Sequence, residues 1–341
     1  MRAFLVERYG GEAGVRAGDV PDPRVGADDV LIRIHAASVN PLDLKTRDGE
    51  FKAILPYRVP FILGNDLAGV VVGVGAAVSR FAVGDEVYAR PGKDRIGTFA
   101  DLIAVHQDDV AIKPATLTMA EAASLPLVAL TSWQALVERA HLRPGQKVLI
   151  HAGSGGVGTI AIQLARHLGV TVATTTSTAN VDLVKSLGAD IIVDYTKQAF
   201  ETVLHDYDVV LDPLGGQNLT KSLRVLKPGG KLISIAGPPD AAFAREIGAN
   251  PIIRLAMSAL SFRIRRRARH HRVTYSFLFM KASGDQLREL TSLIDAGAIR
   301  PVVDRVFPFT ETRQALAYVE AGRARAGKVV VTMTSGTALP G

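Results

Sequence analysis

The sequence predicts an α/β protein of two domains, a partly closed β-barrel followed by a doubly wound parallel sheet. Three observations lead there. The first third of the chain is dense in short β-branched runs separated by glycines. From Lys147 onward, short apolar runs alternate with helical stretches, and the first of these strand-to-helix joins carries a dinucleotide-type glycine pattern. At 341 residues the chain is long enough to build two cores.

The elements follow in order. Residues 30–39 open with alternating apolar positions, 67–74 are rich in valine and glycine, and 85–90 follow a Gly84-Asp85 turn signal. Residues 98–113 continue the β pattern. Residues 119–130 and 132–140 read as helices, and Arg143-Pro144-Gly145 breaks the chain. Strands are expected at 147–151, 170–176, 191–194, 207–212 and 231–236, with helices at 159–168 and 181–187. Residues 301–307 and 328–333 return to β character around a helix at 311–321. This divides the chain into a barrel of residues 1–120, rejoined by 302–341, and a sheet domain of residues 121–301.

Composition narrows the function. Hydrophobic residues at 48% and charged residues at 21% exclude a largely disordered chain. The chain has no cysteine, which excludes disulfides, thiolate metal ligation and a cysteine nucleophile. The net charge is +7, but six arginines fall between Arg263 and Arg272, so the excess is local. That run reads as a solvated face. A nucleic-acid partner is the alternative, although no aromatic residues interleave the arginines for base stacking. No apolar run reaches the ~20 residues of a spanning helix, and residues 1–6 enter a strand-like stretch without a leader pattern. The expectation is a cytoplasmic protein with no membrane partner.

The strongest local signal is Gly153-Ser154-Gly155-Gly156-Val157-Gly158. Gly153, Gly155 and Gly158 fill a G-x-G-x-x-G template between a strand and an amphipathic helix. The first glycine permits the tight turn, the second lets backbone N–H groups approach a pyrophosphate, and the third allows close helix–sheet packing. An NAD site would usually place a carboxylate at the end of the next strand. Here that strand runs into Thr176-Ser177-Thr178-Ala179-Asn180, with no acid before Asp182. NADP(H) is therefore the expected cofactor, with Ser177 either meeting the 2′-phosphate or capping the following helix.

With these residues assembled, the chain resembles the medium-chain dehydrogenase/reductase superfamily, in its zinc-free quinone oxidoreductase (zeta-crystallin-like) branch. Asn40-Pro41-Leu42-Asp43, Gly64-Asn65-Asp66, Val83-Gly84-Asp85-Glu86-Val87 and Leu187-Gly188-Ala189-Asp190 carry the likeness beside the glycine loop. The resemblance implies a GroES-like β-barrel catalytic domain and a Rossmann nucleotide-binding domain. It also implies that Asn40 and Thr131 lie near the nicotinamide and its ribose, and that Gly156, Val157 and Gly158 meet the pyrophosphate. Ser177 and Tyr195 would meet the 2′-phosphate, Gly237 would border the nicotinamide, and Lys328 would reach a phosphate. A homodimer is a further expectation. Asn65 stands where zinc-dependent relatives carry a histidine, so no metal site is expected.

The implied reaction passes hydride from NADPH to a quinone or an α,β-unsaturated carbonyl. Conjugation spreads the incoming charge to oxygen, where a hydrogen-bond donor stabilises it without a metal. Lys45 is a candidate to polarise that oxygen, or else a solvated loop residue. Asp43 is a candidate for proton handling, or else a cap on a helical turn. Asn40 completes the catalytic set. A dinucleotide-binding protein without turnover and a metal-dependent alcohol dehydrogenase are the alternative functions.

Overall fold

The computed structural model describes residues 1–52 and 55–333, whose packing separates two units, Met1–Leu130 with the segment from Lys281, and Thr131–Met280. The chain begins with β1 (Arg2–Val6), β2 (Val15–Asp19) and β3 (Asp29–Val39). Helix α1 (Pro41–Asp48) follows β3 directly, opened by Asn40 with Pro41 at its first position and closed by Gly49 at φ 81°. Then come β4 (Phe61–Ile62), β5 (Asp66–Val74), β6 (Glu86–Ala89), β7 (Leu102–His106), β8 (Val110–Ile112), α2 (Met119–Ala123) and α3 (Pro126–Trp133). A π-helical turn over Gln134–Arg139 extends α3 in place of a separate α-helix.

The second unit alternates strand and helix. It comprises β9 (Lys147–Ile150), α4 (Gly156–His167), β10 (Thr171–Thr176), α5 (Val181–Ser186), β11 (Ile191–Asp194), β12 (Tyr207–Asp212), α6 (Gln217–Val225), β13 (Leu226–Ser234), α7 (Ala241–Glu246), α8 (Pro251–His270) and β14 (Thr274–Phe277). All pairings in its six-stranded sheet are parallel, in the order β11-β10-β9-β12-β13-β14. The order reverses beside β9, the strand that delivers the glycine loop, which is where such sheets leave a crevice at their carboxyl ends. Leu149, Ala173, Val210 and Leu232 pack beneath Leu223 and Ile264 in its core. Helix α4 begins three residues earlier than its apolar periodicity suggests, because the last glycines of the loop already form its first turn.

The chain then returns to the first unit with α9 (Gly284–Asp295), β15 (Val303–Pro308), α10 (Thr312–Glu320) and β16 (Lys328–Thr332). Helix α9 belongs with the barrel: Tyr88 donates its hydroxyl to Leu287 O at 2.7 Å. The large sheet runs β15-β16-β3-β5-β6-β8, with β7 also on β3, and β2-β1-β4 form a smaller sheet beside it. In register, Val329 lies opposite Val39. The fully buried Arg47 ties α1 to α10, donating to Glu320 at 2.7 Å and to Asp48 at 2.7 Å.

Candidate functional site

In the second unit the glycine loop is held from beneath by β10. Gly153 N–H donates to Thr175 O at 2.9 Å and Ala152 N–H to Thr175 Oγ1 at 3.2 Å. Ala152 sits at φ 52°, a left-handed conformation that costs an alanine about 1–2 kcal/mol. A methyl on Gly153 would lie 2.0 Å from Thr174 Oγ1, and one on Gly158 would lie 2.3 Å from Ala152 O. Gly155 is different, since its nearest obstruction is Ala152 O at 3.3 Å. The first and third glycines are therefore needed for packing, while a methyl on the second would press on a single main-chain oxygen.

Helix α4 starts from Gly155 with no side-chain cap, and its first main-chain bond is Thr159 N–H to Gly155 O at 2.9 Å. The N–H groups of Gly156, Val157 and Gly158 have no partner within the helix, and the positive end of its dipole adds to them. These features fit a bound pyrophosphate.

The end of β10 supplies the hydroxyls. Ser154 Oγ accepts from Asn180 Nδ2 at 3.2 Å and from Thr176 Oγ1 at 3.3 Å, and Ser177 stands half-buried beside them. The Ser177 side chain makes no capping bond, so of its two expected roles the cap is absent. Parallel pairing sets Thr176 opposite Asp194, a carboxylate that the order of residues along the chain did not reveal. It is already engaged: Asp194 accepts from the hydroxyls of Thr178 at 2.5 Å and Thr196 at 2.6 Å and pairs with Lys197 at 3.3 Å. Those bonds, Thr178 first, hold it well below the usual carboxylate range. Tyr195 next to it is 62% exposed. At the end of β13, Gly237 N–H donates to Ser234 Oγ at 2.8 Å, and a methyl there would meet Tyr275 Oη at 2.5 Å. Thr131, the first residue of this unit, is buried.

His151, just ahead of the loop, is a core residue. Its ring lies between Thr175 Oγ1 at 3.1 Å and Ser222 Oγ at 2.9 Å, and burial pushes its pKa down to about 4.

The first unit holds the other expected residues in a buried polar cluster around the start of α1. Asp43 Oδ2 accepts from Asn40 N–H at 2.7 Å, closing the first turn, and Asp43 Oδ1 accepts from Asn65 Nδ2 at 2.7 Å. Burial raises its pKa to about 6 against the pull of those two donors. The capping alternative for Asp43 is the one observed. Asn40 Nδ2 donates to Asp66 Oδ2 at 2.8 Å, and Lys328 Nζ donates to Asn40 Oδ1, to Val39 O at 3.0 Å and to Asp66 Oδ2 at 3.5 Å. All three ammonium hydrogens are thus engaged within the barrel. Lys328 is buried and faces inward, in contrast to the expected reach toward a phosphate. Burial lowers its pKa, with Asp66 and Asp43 opposing.

Asp66 was not among the expected site residues, yet it is the hub, also accepting from Ser38 Oγ at 2.7 Å and Leu127 N–H at 2.7 Å. Lys45 lies outside the cluster. Its side chain is 46% exposed and pairs with Glu50 at 3.4 Å, near the Phe51 ring.

A zinc ion does not fit these residues. The chain has no cysteine, Asn65 is committed to Asp43, and no group of three or more His, Asp or Glu is poised for a metal among the described residues. A buried ammonium already balances the carboxylates.

Comparison with known proteins agrees with this architecture. Residues 26–115 match the model of the alcohol dehydrogenase GroES-like domain, and residues 187–331 match that of the zinc-binding dehydrogenases. An NADPH-dependent alkenal/one oxidoreductase of Arabidopsis thaliana chloroplasts is 36% identical over 97% of this chain and 79% of its own length. The quinone oxidoreductase of Coxiella burnetii superposes with a TM-score of 0.85 at 31% identity, covering 98% of this chain and 99% of the other. A mycobacterial protein solved with NADPH superposes at 0.80 with 28% identity, covering 97% and 99%. The chain belongs to the medium-chain dehydrogenase/reductase superfamily, among its quinone and alkenal oxidoreductases.

Proposed function

We propose that the protein is an NADPH-dependent reductase of quinones or α,β-unsaturated carbonyls that works without zinc. The observation that carries this reading is the uncapped start of α4, three N–H groups ahead of its hydrogen-bond ladder beside a hydroxyl-lined strand end. NADPH, when bound, supplies the hydride. Gly156, Val157 and Gly158 hold the pyrophosphate through their main-chain N–H groups. Ser154, Ser177, Asn180 and Tyr195 hold the 2′-phosphate, and Lys197 offsets the charge of Asp194, whose oxygens are turned onto Thr178 and Thr196. Thr131 and Gly237 shape the nicotinamide end.

In the first unit Asn40 and Asp43 are positioning residues. They fix the start of α1 and with it Lys45, the exposed cation that meets the acceptor oxygen and donates a hydrogen bond to it as charge arrives. A conjugated acceptor needs only such a donor. The proposal includes a cytoplasmic location, supported by the absence of cysteine, and a homodimer, supported by β14, which ends the sheet with an unpaired edge among the described strands.

The test follows NADPH absorbance against a panel of quinones, alkenals and simple alcohols, with and without a chelator. Turnover of conjugated acceptors that the chelator leaves unchanged is expected. Tight NADPH binding without turnover of any acceptor would reduce the protein to a dinucleotide binder. Loss of activity to the chelator and recovery with Zn²⁺ would establish a metal-dependent dehydrogenase instead.

A further inference from the structure

Helix α8 is unlike the rest of the second unit. It runs for 20 residues, about 30 Å, from an Asn250 cap that accepts Ile253 N–H at 2.9 Å. Met257, Ser261, Ile264 and Ala268 form its buried stripe. The opposite face, at the same helical spacing, carries Ile252, Leu255, Ala259, Phe262, Arg266 and His270. Four of the seven exposed leucine, isoleucine and phenylalanine side chains among the described residues stand on this helix, with Ile252 79%, Leu255 74%, Leu260 64% and Phe262 49% exposed. Its outward side is therefore apolar in the first half and basic in the second.

The charge is uncompensated. Seven arginines and no Asp or Glu lie between Pro251 and Arg272. Arg265 and Arg267 bond to Ser258 and Thr220 hydroxyls, and no arginine from 263 to 272 forms an ion pair among the described residues. The crevice among Phe262, Arg263, Arg266, Arg267, His270 and His271 is walled by this segment alone. A small anion there would be gripped from one side only. A nucleic acid would engage the arginines but leave Ile252 and Leu255 in water, and the run offers no interleaved rings for stacking. A second copy packed in parallel would bring like charge to like charge, and one packed antiparallel would set arginines against Ile252 and Leu255. A bilayer with anionic headgroups meets both halves, since apolar side chains enter the headgroup boundary while arginines rest on phosphates.

We propose that α8 docks the protein on anionic phospholipid bilayers, lying in the interface without crossing it. No described helix is long and apolar enough to span a membrane, and a helix lying flat needs no such length. The expectation that the protein has no membrane partner rested on the missing span and leader pattern, neither of which bears on a helix lying in the interface.

Sedimentation of the full chain with vesicles of phosphatidylcholine, alone or mixed with phosphatidylglycerol, tests this. The variants pair Leu255→Ser with Phe262→Ser, and Arg263→Glu with Arg266→Glu. All four residues are exposed, so circular dichroism and NADPH turnover are expected to stay unchanged. Wild-type protein should bind the anionic vesicles only. The arginine pair should lose about twenty-fold or more in affinity, the apolar pair should also bind less, and salt should weaken what remains. Failure to bind anionic vesicles overturns the proposal. So does an apolar variant that binds them as wild type does while an oligonucleotide duplex binds equally well, which would assign the face to nucleic acid. A dimer that the apolar pair converts to monomer in light scattering would assign it to a second copy.

Discussion

Lys328 donates its ammonium to Asn40 Oδ1 across 288 residues of chain. The antiparallel register of β16 on β3, with Val329 opposite Val39, leaves Lys328 beside the residue that opens α1. The last strand of the barrel therefore controls the first turn of the helix that carries Asp43 and Lys45. Lys328→Met is expected to destabilise the protein by about 3–5 kcal/mol, because Asp66 would stay buried without its counter-ion. Urea unfolding of the two proteins measures the loss, and an unchanged midpoint would show that the pair contributes nothing.

Two of the template glycines should separate by mechanism. Gly158→Ala forces a methyl to 2.3 Å from Ala152 O and should cost about 1–3 kcal/mol of stability as well as NADPH binding. Gly155→Ala meets only Ala152 O, at 3.3 Å, so it should cost less stability than Gly158→Ala while NADPH affinity falls. Thermal melting alongside cofactor titration distinguishes the two. A Gly155→Ala protein that binds NADPH normally would remove the pyrophosphate from this loop.

In the proposed site, cofactor choice rests on hydroxyls around Asp194, an ionised carboxylate paired with Lys197. Ser177→Asp adds a free carboxylate where β10 ends and should lower the preference for NADPH over NADH by at least about tenfold, equivalent to roughly 1.4 kcal/mol. Steady-state kinetics with both nucleotides measures the ratio. An unchanged ratio would place the 2′-phosphate away from Ser177.

Two buried groups give opposing acid responses. His151 has its pKa lowered from 6.5 to about 4, so between those values the unfolded chain binds a proton that the folded protein does not, and stability falls on acidification. Asp43 has its pKa raised from 3.8 to about 6, so there the folded protein binds the extra proton and acidification favours folding. Asp43→Asn removes only the second effect. Its stability should therefore fall more steeply than that of wild type between pH 6 and 4, whatever constant penalty the substitution brings. Parallel stability curves over that range would contradict the raised pKa of Asp43.

The parallel sheet, the barrel strands and the glycine loop are legible along the chain, because each is written in local periodicity and in glycines within a few residues of one another. The basic run and the lack of thiol ligands are legible there too. Which polar groups meet depends on the folded chain. Asp194 reaches the end of β10 only through strand register, and Asp66 becomes a hub only because β3, β5 and β16 converge on it. Lys328 looked like a phosphate ligand in the chain and is a buried counter-ion in the fold. The arginine run looked like solvated surface, and its meaning changed once α8 showed apolar side chains exposed on the same outward face. Pairing across distant segments depends on register and burial, neither of which local order along a chain encodes.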